Sequence, residues 1–181
     1  MKLLICSDIH GDYDCAKRIV DIFEKEGCDR LIILGDILYH GPRNDLPNGY
    51  APKKVITLLN GISDKIITVR GNCDAEVDGM VLDFPVLTPR RNVTADGVKM
   101  LLTHGHRYNA DNPPRMKKGE ILLHGHTHIA KIEKFGDENY SLNPGSVSIP
   151  KDGTGGSYII YSNRSFTAYD FGGNTLFTLA V

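Results

Sequence analysis

Five apolar runs in this 181-residue chain each end in a metal-capable side chain beside a glycine. Leu3-Leu4-Ile5 leads to Asp8 and His10, and Leu31 to Leu34 leads to Gly35-Asp36. Ile66 to Val69 leads to Gly71-Asn72-Cys73-Asp74, Met100 to Thr103 leads to His104, and Ile121 to Leu123 leads to His126 and His128. Asp8, His10, Asp36, Asn72, His104, His126 and His128 make seven potential ligands: two carboxylates, one amide and four imidazoles. Seven is too many for one tetrahedral zinc. It suits two divalent ions roughly 3.5–4 Å apart, bridged by one carboxylate, as in phosphoryl-ester hydrolysis. Two such ions bring four positive charges, and two aspartates and one bridging hydroxide leave about one, which attracts a phosphate ester. Attack by metal-bound hydroxide is the expected chemistry. Mixed nitrogen and oxygen ligation without thiolate points to Mn²⁺, Fe, Zn²⁺ or Ni²⁺ before Mg²⁺ without choosing among them, and Mn²⁺ is the expected pair of ions.

The elements that must position these groups are short buried strands, since runs of Ile, Leu and Val closed by glycine read that way. Ligand sites of open α/β sheets gather beyond the carboxyl ends of the strands. Asp8 and His10 are two residues apart, as are His126 and His128, so extended backbone points each pair to one side. Between the strands, Asp14 to Glu26 and the segment from Pro52 to Gly61 carry helical spacing, which argues for parallel βαβ units. A long loop from Ile37 to Tyr50 holds His40 and Arg43, which could reach a substrate phosphate. In the second half, Asp96-Gly97 and Gly136-Asp137 mark hairpins, and Tyr158 to Tyr161 and Ser165 to Tyr169 alternate as antiparallel strands do. The expected architecture is α/β: a four-layer sandwich of two packed mixed β-sheets flanked by helices, one domain over residues 1–181, with the site at a sheet edge.

Each residue alone has a bland reading as a loop carboxylate, turn asparagine or surface histidine. It is the joint pattern at five strand ends that argues for a site. Composition narrows the rest. A formal net charge of −1 offers no basic stripe, so an extended nucleic acid is not the expected partner. No stretch approaches the roughly 20 apolar residues of a membrane span. Cys6, Cys15, Cys28 and Cys73 lack paired spacing, and the chain opens straight into a strand with no leader-like segment; both features predict a cytoplasmic protein with reduced thiols.

These blocks resemble the signature of the calcineurin-like metallophosphoesterases: Asp8-x-His10, Gly35-Asp36, Gly71-Asn72-x-Asp74, His104-Gly105 and Gly125-His126-x-His128. The loop His40 to Asn44, the block Arg70 to Asp74 and Asn143-Pro144-Gly145-Ser146 are most similar to the small bacterial YfcE-type phosphodiesterases within that family. The resemblance covers essentially the whole chain and implies the family's double β-sandwich. It further implies that Asp8, His10, Asp36 and His128 hold one metal, with Asp36 bridging to a second held by Asn72, His104 and His126. Asn72, Cys73 and Asp74 form the block implied in catalysis. Most family members carry histidine, oriented by the following acid, where Cys73 stands. A neutral thiol donates weakly, and losing a general acid slows reaction by about 10²–10⁴, most severely for poor leaving groups.

The resulting expectation is a dinuclear-metal phosphodiesterase acting on small or nucleotide-like diesters. A phosphomonoesterase or nucleotidase using the same site is the alternative, and a non-catalytic interaction scaffold of the same fold is a third reading. His106 is expected to steady a ligand or water, His124 to lie in the core, and Asn143 to Ser146 to shape a turn near the site. The Tyr- and Phe-bearing C-terminal strands are compatible with a homo-oligomer or an ordinary core.

Overall fold

A computed structural model describes residues 1–181. The first half alternates strand and helix: β1 (Leu3–Cys6), α1 (Tyr13–Lys25), β2 (Arg30–Ile33), α2 (Pro52–Asn60) and β3 (Ile66–Thr68). One short 3₁₀ turn precedes β3 and another follows it, and then come β4 (Arg91–Ala95), β5 (Val98–Leu102), β6 (Ile121–Leu123), β7 (Ala130–Phe135), β8 (Asn139–Pro144), β9 (Ser157–Ser162), β10 (Ser165–Asp170) and β11 (Thr175–Ala180). The strands form two mixed sheets, ordered β11-β10-β9-β1-β2-β3 and β4-β5-β6-β8-β7. β1, β2 and β3 run parallel in the first, and β5, β6 and β8 run parallel in the second. The expected α/β sandwich of two mixed sheets is present. β11, an edge strand with exposed and half-buried residues, was not anticipated, because its side chains pack too little to leave a strong pattern.

The helices arise from ordinary signals. Asp12 caps α1 by accepting from the Cys15 N–H, and Ala16, Ile19, Val20 and Phe23 form its buried stripe. Cys15 and Ile22 lie at the margin of that stripe, partly buried against the same core. Pro52 begins α2, where its missing N–H is harmless. Both helices pack on the first sheet, where Val55 and Leu59 of α2 join Leu4, Cys6, Leu31 and Ile33 in one apolar layer. Alternate residues of the same strands, Leu3, Ile5 and Ile32, face the other way. They meet Met100, Leu102, Leu123, Tyr161 and Phe166 between the sheets. β1 is therefore buried on both faces, which is why it reads as an unbroken apolar run. The link from β5 to β6 is a non-helical segment fastened by Thr103 donating to the Tyr108 carbonyl and Asn139 donating to the Lys117 and Glu120 carbonyls. No helix is long and apolar enough to cross a membrane.

Candidate metal centre

The five sequence runs divide between the sheets. Asp8 and His10 follow β1, Asp36 follows β2 and Asn72 follows β3, whereas His104 follows β5 and His126 and His128 follow β6. The site therefore forms where the carboxyl ends of both sheets meet, and not at a single sheet edge. The pairs do not converge through extended backbone either. Asp8 (φ 58°), His10 (φ 49°), Asp36 (φ 55°), His126 (φ 70°) and His128 (φ 62°) are all left-handed. Such φ values are uncommon outside glycine, and a cluster of them marks a functional constraint.

Glycines let the strand ends come this close. A Cβ on Gly71 would lie 2.0 Å from Asp36 Oδ1, and one on Gly125 would lie 1.9 Å from Ser7 Oγ and 2.6 Å from Asp8 Oδ2.

The buried histidines are held by their Nδ1 atoms. His10 Nδ1 meets the Tyr39 carbonyl, His104 Nδ1 the Leu34 carbonyl and His128 Nδ1 the Ile149 carbonyl, each at 2.7 Å. A carbonyl only accepts, so each Nδ1 carries a proton and each ring turns its Nε2 inward. Those Nε2 atoms converge on Asp8 Oδ1, at 3.6 Å from His10, 3.9 Å from His104 and 3.2 Å from His128. Asp8 Oδ1 is buried without a hydrogen-bond partner, and His10 Nε2 and His128 Nε2 stand 3.3 Å apart. Asp36 Oδ2 lies 3.3 Å from His104 Nε2 and 3.9 Å from His10 Nε2, while its Oδ1 accepts from the Cys73 N–H. Asn72 Oδ1 sits 3.0 Å from His104 Nε2. Buried carboxylate oxygens surrounded by ring nitrogens require positive charge among them, whether protons or a metal ion, and N and O donors of this kind fit divalent transition metals. Asp8 is bracketed by two sets of potential ligands within 4.8 Å of one another, Asp8–His10–His128 and Asp8–Asp36–His104. The residues thus fit the expected metals.

The electrostatics agree. Burial alone would raise the Asp8 carboxyl, but His104, His10 and His128 overturn it and hold Asp8 well below the usual carboxylate range. Burial likewise opposes ionisation of Asp36, which His104 and the Cys73 N–H nevertheless keep low. Burial depresses His104, yet Asp8 and Asp36 prevail and lift it to about 9; His10 is raised for the same reasons. His126, where burial and His104 act together, is lowered to about 4. The site concentrates negative potential that draws positive charge.

The chain belongs to the calcineurin-like phosphoesterase superfamily. Residues 1–165 match the family model described as the calcineurin-like phosphoesterase superfamily domain. The chain is 47% identical to phosphodiesterase YfcE of Escherichia coli K12 over 163 residues, covering 90% of this chain and 88% of that protein. It superposes on a solved structure of YfcE, a phosphoesterase from E. coli, with a TM-score of 0.96 and 43% identity over the whole of both chains. Vps29 from Cryptosporidium parvum shares the fold, with a TM-score of 0.66 at 16% identity over 99% of this chain and 98% of that one.

Within this calcineurin-like frame, the remaining expected residues fall in distinct places. Asn72 and Cys73 line a cleft of about 460 Å³ over the centre, together with Arg43, Asn44, Thr127 and Lys151. Burial, and next Asp36, push the Cys73 thiol up, so it stays neutral. Asp74, expected among the reacting groups, instead lies beneath the site, 3% exposed. Its carboxylate accepts from the Asp36, Ile37 and Gly71 N–H groups, which makes it a positioning residue for Asp36. Burial lifts it to about 6 despite those bonds. His40, expected at the substrate phosphate, does not line the cleft; its ring stacks edgewise between Tyr39 and Tyr50. His106 stands beside His104 and His126, with ring centroids 5.4 and 6.1 Å away. His124 is buried, with its Nδ1 3.1 Å from the Gly125 carbonyl and 3.4 Å from the Asn143 amide nitrogen. Asn143 also ties Gly125 to Thr127 and Gly145, and Ser146 and Ser148 donate to the Asp8 carbonyl. The turn from Asn143 to Ser146 thus clamps both ligand loops. Lys151 was missed in the sequence; its only signal is an N–H donated to the His128 carbonyl, which pairing across distant loops hides.

Proposed function

We propose that the protein is a metal-dependent phosphodiesterase that hydrolyses small or nucleotide-like diesters with two divalent ions, Mn²⁺ foremost, in the cytoplasm. One observation carries the reading: three inward-facing Nε2 atoms meet the unpartnered Asp8 Oδ1, a few ångströms from Asp36 Oδ2. Similarity to a protein named phosphodiesterase at 47% identity supports the reaction class. Asp8, His10, Asp36 and His128 are the residues to hold one ion, and Asp36, Asn72, His104 and His126 the other. Bound there, the ions supply the Lewis acidity that activates water and polarises a phosphate.

The chain's own groups do the rest. Asp36 Oδ2 faces ring nitrogens of both ligand sets, which suits a bridge. Arg43 and Lys151 supply cationic donors to the phosphate in the cleft. Asn72 Nδ2 donates to Cys73 Sγ at 3.2 Å, and both side chains line the cleft over the ligands. The neutral thiol is a weak proton donor, which favours substrates whose leaving groups need no protonation. A cleft of about 460 Å³ fits a small substrate. Four free cysteines support a reducing compartment.

The test is hydrolysis of bis-p-nitrophenyl phosphate beside p-nitrophenyl phosphate, after chelation and reconstitution with Mn²⁺, Ni²⁺, Zn²⁺ or Mg²⁺ separately. Metal-restored turnover that favours the diester is expected. A preference for the monoester would replace the substrate class, and no turnover with any metal would sink the hydrolase reading.

A further inference from the structure

A second cleft, about 640 Å³, opens beside the metal centre, with Asn72 lining both and His104 lining the second. Its wall carries three guanidinium side chains, Arg70, Arg90 and Arg107, and no acidic residue. In a chain of net charge −1, that concentration does not follow from overall basicity. Arg70 is fixed in place, its Nε donating to the Asp74 carbonyl and a terminal nitrogen to Glu76 at 3.2 Å. Arg90 and Arg107 make no salt bridge. Guanidinium forks match phosphate oxygens in pairs, and converging forks on a concave surface make a phosphate site. Leu87 and Tyr108 add an apolar and aromatic surface to the same wall, able to hold a sugar or base.

We propose that this cleft is a subsite for a phosphate on the far arm of the substrate, so that the enzyme prefers diesters bearing a second, terminal phosphate. The inference rests on the phosphodiesterase reading, because a diester at the ions has two arms. The cleft with Arg43 and Lys151 takes one arm and the arginine cleft takes the other.

A matched pair tests it: thymidine 5′-(p-nitrophenyl phosphate) and the same compound phosphorylated at its 3′ oxygen. The reacting phosphate and leaving group are identical. In the Mn²⁺-loaded enzyme, kcat/KM is expected to favour the phosphorylated compound by roughly 10–100-fold, the scale of one charge-assisted hydrogen bond, carried mainly by KM. The double variant Arg90→Ala/Arg107→Ala should bring that ratio close to one, and Arg90→Lys should keep part of it. Calorimetric binding of thymidine 3′,5′-bisphosphate against thymidine 5′-monophosphate reads the same subsite without turnover. Equal affinities, or a preference that survives the double variant, overturn the subsite alone. Absent turnover beside a variant-sensitive bisphosphate preference overturns the hydrolase reading and leaves the subsite standing.

Discussion

The two ends of the sandwich use the same rare backbone for opposite reasons. Near the amino end of β1, Asp96 and Gly97 (φ 49° and 80°) join β4 to β5, and Asn163 and Arg164 (φ 50° and 60°) join β9 to β10. Both are two-residue hairpins whose left-handed pairs match the twist of their strands. At the carboxyl ends, five non-glycine residues are left-handed with no hairpin to justify them, and all five are potential metal ligands. They are held from outside, by the Gly35 and Asp36 carbonyls accepting from Asp8 and His10 and by Asp8 Oδ2 accepting from the His126 N–H. Local turn chemistry explains one end, and only the need to aim side chains explains the other.

This contrast can be broken at its strong end first. Asp36→Asn replaces a carboxylate oxygen that faces both His10 and His104, and turnover of bis-p-nitrophenyl phosphate should fall by two or more orders of magnitude, with lowered metal content by elemental analysis. Gly71→Ala drives a methyl into Asp36, so urea unfolding should show a loss of about 2 kcal/mol or more together with lost metal. His126→Gly separates strain from function. Relief of the left-handed backbone should leave the chelated protein as stable as before or about 1 kcal/mol more so, while turnover drops sharply. A marked loss of stability there would show that the ring supports the fold. Asp96→Asn keeps the left-handed turn and removes only an exposed pair with the amino terminus, 3.1 Å long. It should shift stability by less than about 1 kcal/mol and leave turnover unchanged.

Much of this arrangement was legible in the chain. Strand ends of Ile, Leu and Val closed by glycine announced both the parallel strands and the ligand set, because full burial forces continuous apolar runs. What could not be read was geometry. Alternation predicts that residues two apart share a side only in extended backbone, and φ near +60° at Asp8 and His10 lies outside that rule. The resemblance to the family placed Asp74 with Asn72 and Cys73 in the catalytic block. Its carboxylate faces the other way because three unpaired N–H groups of Asp36, Ile37 and Gly71 claim it. His40 is similar: only the packing of Tyr39 and Tyr50 shows that it faces away from the cleft. Lys151 belongs to the cleft through loop proximity, which leaves no periodic trace.

The division of the ligands between two sheets has a mechanical consequence. Asp8 and Asp36 are rooted in one sheet, and His104 and His128 in the other. An ion gripped by both sets is a latch across the sandwich, and opening the layers means breaking coordination as well as uncovering the apolar seam. Amide exchange at the carboxyl ends of β1, β2, β5 and β6 should therefore slow in concert when the latch closes, whereas the hairpins at the far end keep their own pace.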